Sequence, residues 1–323
     1  LISAAIGGYF ELELPVVKGE WYAEAYHFQS ARAAFLALLL EGHPTRVWMP
    51  WYICDSMIEP LYMAGVAVSR YLLDDNLNIK ESITLKPNEW LFYVNYFGVS
   101  GFLVDKLLES YPRDQVVIDN SQAFFSPPRD CLATIYSPRK FFGVPDGGYL
   151  FTILDVSVPD EVDDGSINRC TYLLKRLASE PDSGYLDYQI AEKSLIGQLP
   201  KRMSRLTQHL LSTIDYNTAR LQRNENFAFL HTHLQHLNLF NLKLGCDDVP
   251  MCYPFRSFHK EVRNHLIKKR IFIPIYWPEI TEINVNSSTK ILAQQYLPLP
   301  CDQRYAPQLL SKLVAEIVGE IVN

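Results

Sequence analysis

The strongest constraint on the fold is a rhythm. Between residues 46 and 153, six short apolar stretches (46–49, 67–72, 90–95, 116–118, 132–136 and 149–153) are separated by segments mostly long enough to hold a helix. Such alternation predicts a mostly parallel sheet with helices on both faces, an α/β architecture. Ahead of it, Ser30 precedes Ala-Arg-Ala-Ala-Phe-Leu-Ala-Leu-Leu-Leu, a run of strong helix formers that stops at Gly42-His43-Pro44. Ser30 is placed as the N-cap and the Gly-His-Pro segment as the stop. Residues 6–15 alternate apolar and acidic side chains after a Gly pair, which suits an edge strand.

After Asp155 the pattern lengthens. Residues 167–178, 185–193 and 204–229 read as helices leading into a second lobe. That lobe shows an apolar stretch at 251–255, a helix at 260–269, a short strand at 271–275 and an amphipathic closing helix at 306–322. We therefore expect a large domain over 1–215 and a small C-terminal α+β domain over 216–323. With 48% hydrophobic and 20% charged residues, 323 residues suffice for a core without disulfides or metals.

A net charge of −6 argues against a nucleic-acid binder, which needs clustered Lys and Arg. The six cysteines have neither metal nor redox spacing and read as free thiols. His231-x-His233-x-x-His236 lacks a carboxylate or Cys at ligand spacing, so no metal is expected. The longest apolar run, 33–40, is too short to span a bilayer, and no leader-like segment is seen, so a cytoplasmic setting is the expectation.

Three segments carry chemistry. The stretch Val116-Val-Ile-Asp119-Asn-Ser-Gln122-Ala delivers an acid at the end of a buried strand, where ligands of α/β sheets collect. Alone, such an Asp is a turn former. Ser137-Pro-Arg-Lys140-Phe-Phe then places a lysine among aromatics, with Gly147-Gly148 following. Apolar surroundings disfavour the charged amine and make it available for Schiff-base chemistry. Alone, it is a surface lysine. The helix start at Ser30 is an anion site in waiting, and alone a simple cap. One cofactor requires all three together: an imine-forming lysine, an acid for a pyridinium nitrogen, and a helix N-terminus for a phosphate.

The order and spacing of Ser30-Ala31-Arg32-Ala-Ala, Pro50-Trp51-Tyr52, Asn95-Tyr-Phe-Gly98, Asp119-Asn-Ser-Gln122-Ala and Lys140-x6-Gly-Gly, with a closing Leu297-Pro-Leu-Pro, resemble the DegT/StrS-like aminotransferases. These are fold-type I pyridoxal-phosphate (PLP) enzymes acting on nucleotide-linked keto-sugars. The resemblance implies a PLP-dependent aminotransferase of polysaccharide biosynthesis, moving an amino group from an amino acid to a keto-sugar or related carbonyl. It also implies a homodimer, with small-molecule substrates and neither nucleic-acid nor membrane partners. Lys140 would bind the cofactor and move protons, and Asp119 would keep the pyridine nitrogen protonated. Gln122 would contact the ring's hydroxyl side. Ser30, the Ala31 amide and Ser137 would hold phosphate, with Arg32 as a further cation and Trp51 or Tyr52 stacked on the ring.

There are departures from the family pattern. Ser30-Ala31-Arg32 stands where the family has Ser-Gly-Thr, position 135 is Ile rather than Ser, and Pro200-Lys-Arg-Met-Ser204 lacks the family's Asn. Two alternatives follow: another PLP reaction such as sugar dehydration, or a degenerate, non-catalytic homologue acting as a binding protein.

Overall fold

The computed structural model describes residues 8–10, 12–15, 19–242, 244–259, 261–281 and 287–322. A seven-stranded sheet organises the first half. Its strands are β1 (Tyr26–Phe28), β2 (Arg46–Pro50), β3 (Ala67–Tyr71), β4 (Glu89–Val94), β5 (Val116–Asp119), β6 (Ala133–Tyr136) and β7 (Gly148–Thr152), in the order β1-β7-β6-β5-β4-β2-β3. Neighbours from β3 through β6 are parallel, and β7 runs against both β6 and β1. Every residue of β4, β5 and β6 is buried. Strands covered on both faces read as continuous apolar runs, which is why they are visible in the sequence.

Helix α1 (Ala31–Gly42) packs on β7, β1 and β6, and on α2 (Glu59–Met63). Ser30 caps it, its hydroxyl accepting from Ala33 N–H at 3.1 Å. The stop signal divides its work between two residues. His43, at φ 43°, takes the left-handed cap conformation, whereas Gly42 makes room for an indole, since a Cβ there would lie 2.4 Å from Trp90. Helix α3 (Gly101–Ser110) joins β4 to β5.

Beyond the sheet come α4 (Ser166–Arg169), α5 (Thr171–Ala178), α6 (Tyr185–Lys193), α7 (Arg205–Ser212) and α8 (Tyr216–Leu234). The C-terminal part contains α9 (Glu261–Lys268), α10 (Ser287–Gln295) and α11 (Pro307–Val322) beside an antiparallel pair, β8 (Tyr253–Arg256) and β9 (Tyr296–Leu299). Among the described residues no helix is long and apolar enough to cross a membrane.

Four expectations are corrected. The helix expected over 167–178 is two, divided at Cys170, and that over 204–229 is two, because Asp215 caps a fresh start by accepting from Thr218 N–H at 3.1 Å. No strand forms at 271–275. Pro274 has no N–H to donate, and the carbonyls of Ile273 and Pro274 are taken by Arg263 Nη1 at 2.6 and 2.7 Å. The expected edge strand at 6–15 falls partly outside the described residues, and its described members are not extended into a ladder. The edge beside β7 belongs instead to the three residues of β1.

Candidate active site

Asp119 ends β5 in register with Val94 and Ile135 on the flanking strands. Its Oδ1 accepts from Ser121 N–H at 2.8 Å, and its side chain is buried. Burial pushes the carboxyl above its ordinary pKa, and the positive charge of Lys140 works against that rise. Lys140 closes a 3-10 turn, Pro138–Lys140, directly after β6. Neighbouring parallel strands thus deliver the acid and the amine to one end of the sheet, and both line one cavity of about 170 Å³.

The start of α1 opens onto the same space: Ser30, Ala31 and Arg32 line it, as does Ser137. Arg32 is held by Glu59, its Nη1 donating to Oε2 at 2.8 Å. The diglycine seats this corner. Gly147 N–H donates to Gln29 O at 2.8 Å, and a Cβ on Gly148 would fall 2.2–2.5 Å from the backbone of Ser30 and Ala31. The close approach it permits is thus backbone to backbone.

The aromatic neighbours of Lys140 behave differently from expectation. Phe141 and Phe142 are buried in the core, while Lys140 is exposed toward the cavity, so its amine is not pressed into an apolar wall. The turn is anchored from behind. Phe141 O accepts from Arg223 Nη2 at 3.3 Å and from Gln303 Nε2 at 2.9 Å, and the Arg223 guanidinium lies 4.4 Å from the Phe141 ring centroid.

Gln122, Trp51 and Tyr52 do not line the cavity. Gln122 Oε1 accepts from Phe97 N–H at 2.7 Å, supporting a residue held at φ 60°. Trp51 carries the Arg70 guanidinium 5.1 Å from its ring centroid. Tyr52 is buried against Tyr96 and Trp277, with ring centroids at 5.6 and 4.3 Å. Aromatic packing takes up the Tyr52 ring, and the half-buried Trp51 ring carries the Arg70 guanidinium instead of forming the cavity wall.

Several lining residues were missed. Ser56 and Ser121 add hydroxyls, and Arg139 adds a second cation beside Lys140. Tyr172 on α5, with Tyr188 and Glu192 on α6, covers the other side. Arg139 was legible as the neighbour of a marked lysine, whereas the α5 and α6 residues carry no motif.

The set fits a PLP-like group. A buried carboxylate suits a protonated ring nitrogen, an exposed amine suits an aldehyde, and hydroxyls with cations at a helix start suit a phosphate. The buried Ser121 hydroxyl lies at the same wall beside the Asp119 carboxyl, so the wall is polar where a ring nitrogen would sit.

No family model and no curated protein matches the chain. Solved structures do. The PLP form of the putative sugar aminotransferase Spr1654 from Streptococcus pneumoniae superposes with a TM-score of 0.64 at 13% identity, covering 92% of this chain and 86% of that one. PseC from Helicobacter pylori, an aminotransferase involved in pseudoaminic acid biosynthesis, gives 0.60 at 15%, covering 92% and 86%. The sugar aminotransferase CalS13 from Micromonospora echinospora gives 0.60 at 14%, covering 91% and 87%. At these identities the likeness is one of fold: a fold-type I PLP-transferase architecture, with a large, mostly parallel sheet flanked by helices and a smaller C-terminal α/β region.

Proposed function

We propose that this protein is a PLP-dependent aminotransferase of the DegT/StrS type, passing an amino group from an amino acid to a keto-sugar, nucleotide-linked or related in its carbonyl chemistry. The observation that carries this reading is the meeting of Asp119, Lys140 and the capped start of α1 in one cavity. When bound, the cofactor would supply an electron sink that stabilises negative charge on the substrate carbon.

Lys140 Nζ is assigned the covalent hold on the cofactor and the carriage of the proton to and from that carbon. Its exposure leaves the amine free to reach both. Because Asp119 Oδ1 is taken by the Ser121 amide, Oδ2 is assigned to the ring nitrogen's proton. A protonated ring nitrogen held there would oppose the effect of burial and favour the ionised carboxyl. Ser30, Ser137 and the α1 dipole would hold the phosphate, with Arg32 contributing charge from its clasp on Glu59. Neither Gln122 nor the 51–52 aromatics receives a direct role, since their side chains are committed elsewhere.

A homodimer in the cytoplasm, with a boundary between large and small domains at Asp215, completes the reading. The fresh helix start at Asp215 supports that boundary.

Protein purified with PLP should show a visible absorption band that Lys140→Ala abolishes and that L-glutamate bleaches in the wild type. Absence of a band, or one indifferent to Lys140→Ala, would overturn the assignment. A band that persists with glutamate while a nucleotide-linked sugar binds would favour a different PLP reaction or a binding protein.

A further inference from the structure

The roles above leave Arg139 and Glu192 unused, although both line the cavity beside Lys140. The Arg139 side chain is only 14% exposed, while that of Glu192 is 36% exposed. Their link is a single one, Arg139 Nη2 donating to Glu192 Oε1. Arg139 Nε is buried and, among the described residues, has no partner. Tyr172 and Tyr188, whose rings meet edge-on with centroids 5.5 Å apart, close the space around them.

The Nε and Nη2 hydrogens of a guanidinium point from one edge, spaced to match the two oxygens of one carboxylate. Glu192 fills one prong of that edge and the Tyr172 hydroxyl lies beside the guanidinium, while Nε itself finds no acceptor among the described residues, a costly state for a buried donor. A carboxylate entering from the cavity could take both prongs. The exchange leaves no buried charge unpaired, because the arginine keeps an anionic partner and the departing Glu192 already reaches solvent.

We propose that Arg139 is the carboxylate anchor of this site, recognising the α-carboxylate of the amino-acid donor, with Glu192 as a built-in placeholder that the donor displaces. This rests on the aminotransferase reading for the donor's identity. Adjacency in the chain makes Arg139 and Lys140 two ends of one recognition unit, the arginine for the donor's carboxylate and the lysine side for its amine. Glu192 then sets selectivity: it competes with weak or monodentate anions and yields to a bidentate one.

The test is calorimetric titration with glutarate, a carboxylate that has no amine to react, against protein with and without PLP. Loss of a charge-assisted fork should weaken binding about tenfold or more in Arg139→Gln, and Arg139→Lys should recover only part of it. Glu192→Gln should instead tighten binding, by roughly threefold or more, since the competing carboxylate is gone. In turnover, Arg139→Gln should raise the KM for the donor and leave that for the acceptor unchanged.

Opposite signs in the two variants support the anchor. Weakening in both, or no change in both, would overturn it, because a purely structural clip predicts that its two halves behave alike. Should Arg139→Gln fail to fold, Arg139→Lys and Glu192→Gln still decide. If no Lys140-dependent band exists while the opposed signs are found, the cofactor reading fails and the carboxylate site stands.

Discussion

At position 148 a single hydrogen atom is all the space the fold allows. An ideal Cβ would lie 2.2 Å from the Ser30 carbonyl carbon and 2.5 Å from the Ala31 nitrogen, contacts with backbone that cannot rotate away. Gly148→Ala should therefore force β7 off the start of α1, costing about 3 kcal/mol of stability and lowering cofactor affinity. Gly143→Ala is the matched control, since its nearest neighbour would be a Leu173 methyl at 3.5 Å, an ordinary contact. Thermal unfolding of the two variants checks this, and equal melting temperatures would contradict it. At this scale the sequence discloses residues that sit at fixed offsets from strand ends. Asp119, Lys140, Ser137 and Ser30 all line the cavity, because a strand's end dictates where its next few residues go. Gln122 shows the limit. Its offset is right, but a neighbouring backbone amide in need of an acceptor, Phe97 N–H, claims its side chain.

Helix starts provide the comparison at the level of elements. Ser30 and Asp215 each accept one orphan amide, from Ala33 and Thr218 respectively, both at 3.1 Å. Replacing either by Ala should cost about 1 kcal/mol. Only Ser30→Ala should also weaken PLP binding, since only that cap lines the cavity; spectrophotometric titration of both variants separates the two contributions. The parallel strands β4, β5 and β6 were legible almost residue by residue, because burial on both faces leaves unbroken apolar runs. Helix interruptions were not. The break before Asp215 is written only in one cap residue within an otherwise helical run, and the loss of a strand at 271–275 depends on Arg263 arriving from α9 to take its carbonyls. Nor could the covering residues Tyr172, Tyr188 and Glu192 be read in advance, because their approach to the cavity depends on how α5 and α6 fold back over it.

Across the molecule, a buried acid joins the sheet to the helices that follow it. Asp146, just before the diglycine, is fully buried. It faces the Asp163 carboxylate, with Arg169 Nη2 3.9 Å away but in close contact with Asp163 instead, and with the Ser204 and Thr207 hydroxyls nearby. Burial, with the neighbouring carboxylate adding to it, pushes the Asp146 carboxyl up to about 6. Since an unfolded Asp titrates near about 3.9, the folded state binds this proton more tightly than the unfolded one does. The resulting stability is complete below about pH 4 and is lost as pH rises through about 6. Asp146→Asn, neutral throughout, should escape that loss, so its melting temperature should gain on the wild type between about pH 4 and pH 7. A constant difference across that range would show that Arg169 keeps Asp146 ionised.

The pairing of Phe28 with Gly148 also sets a timetable for synthesis. A nascent chain released only as far as β6 already carries Asp119, yet the three residues of β1 still lack the strand they lie against, and Ser30 lacks the glycine that seats it. The corner at the start of α1 can close only after Gly148 has left the ribosome, so it is completed late, by a nearly finished sheet and not by its first-made strands.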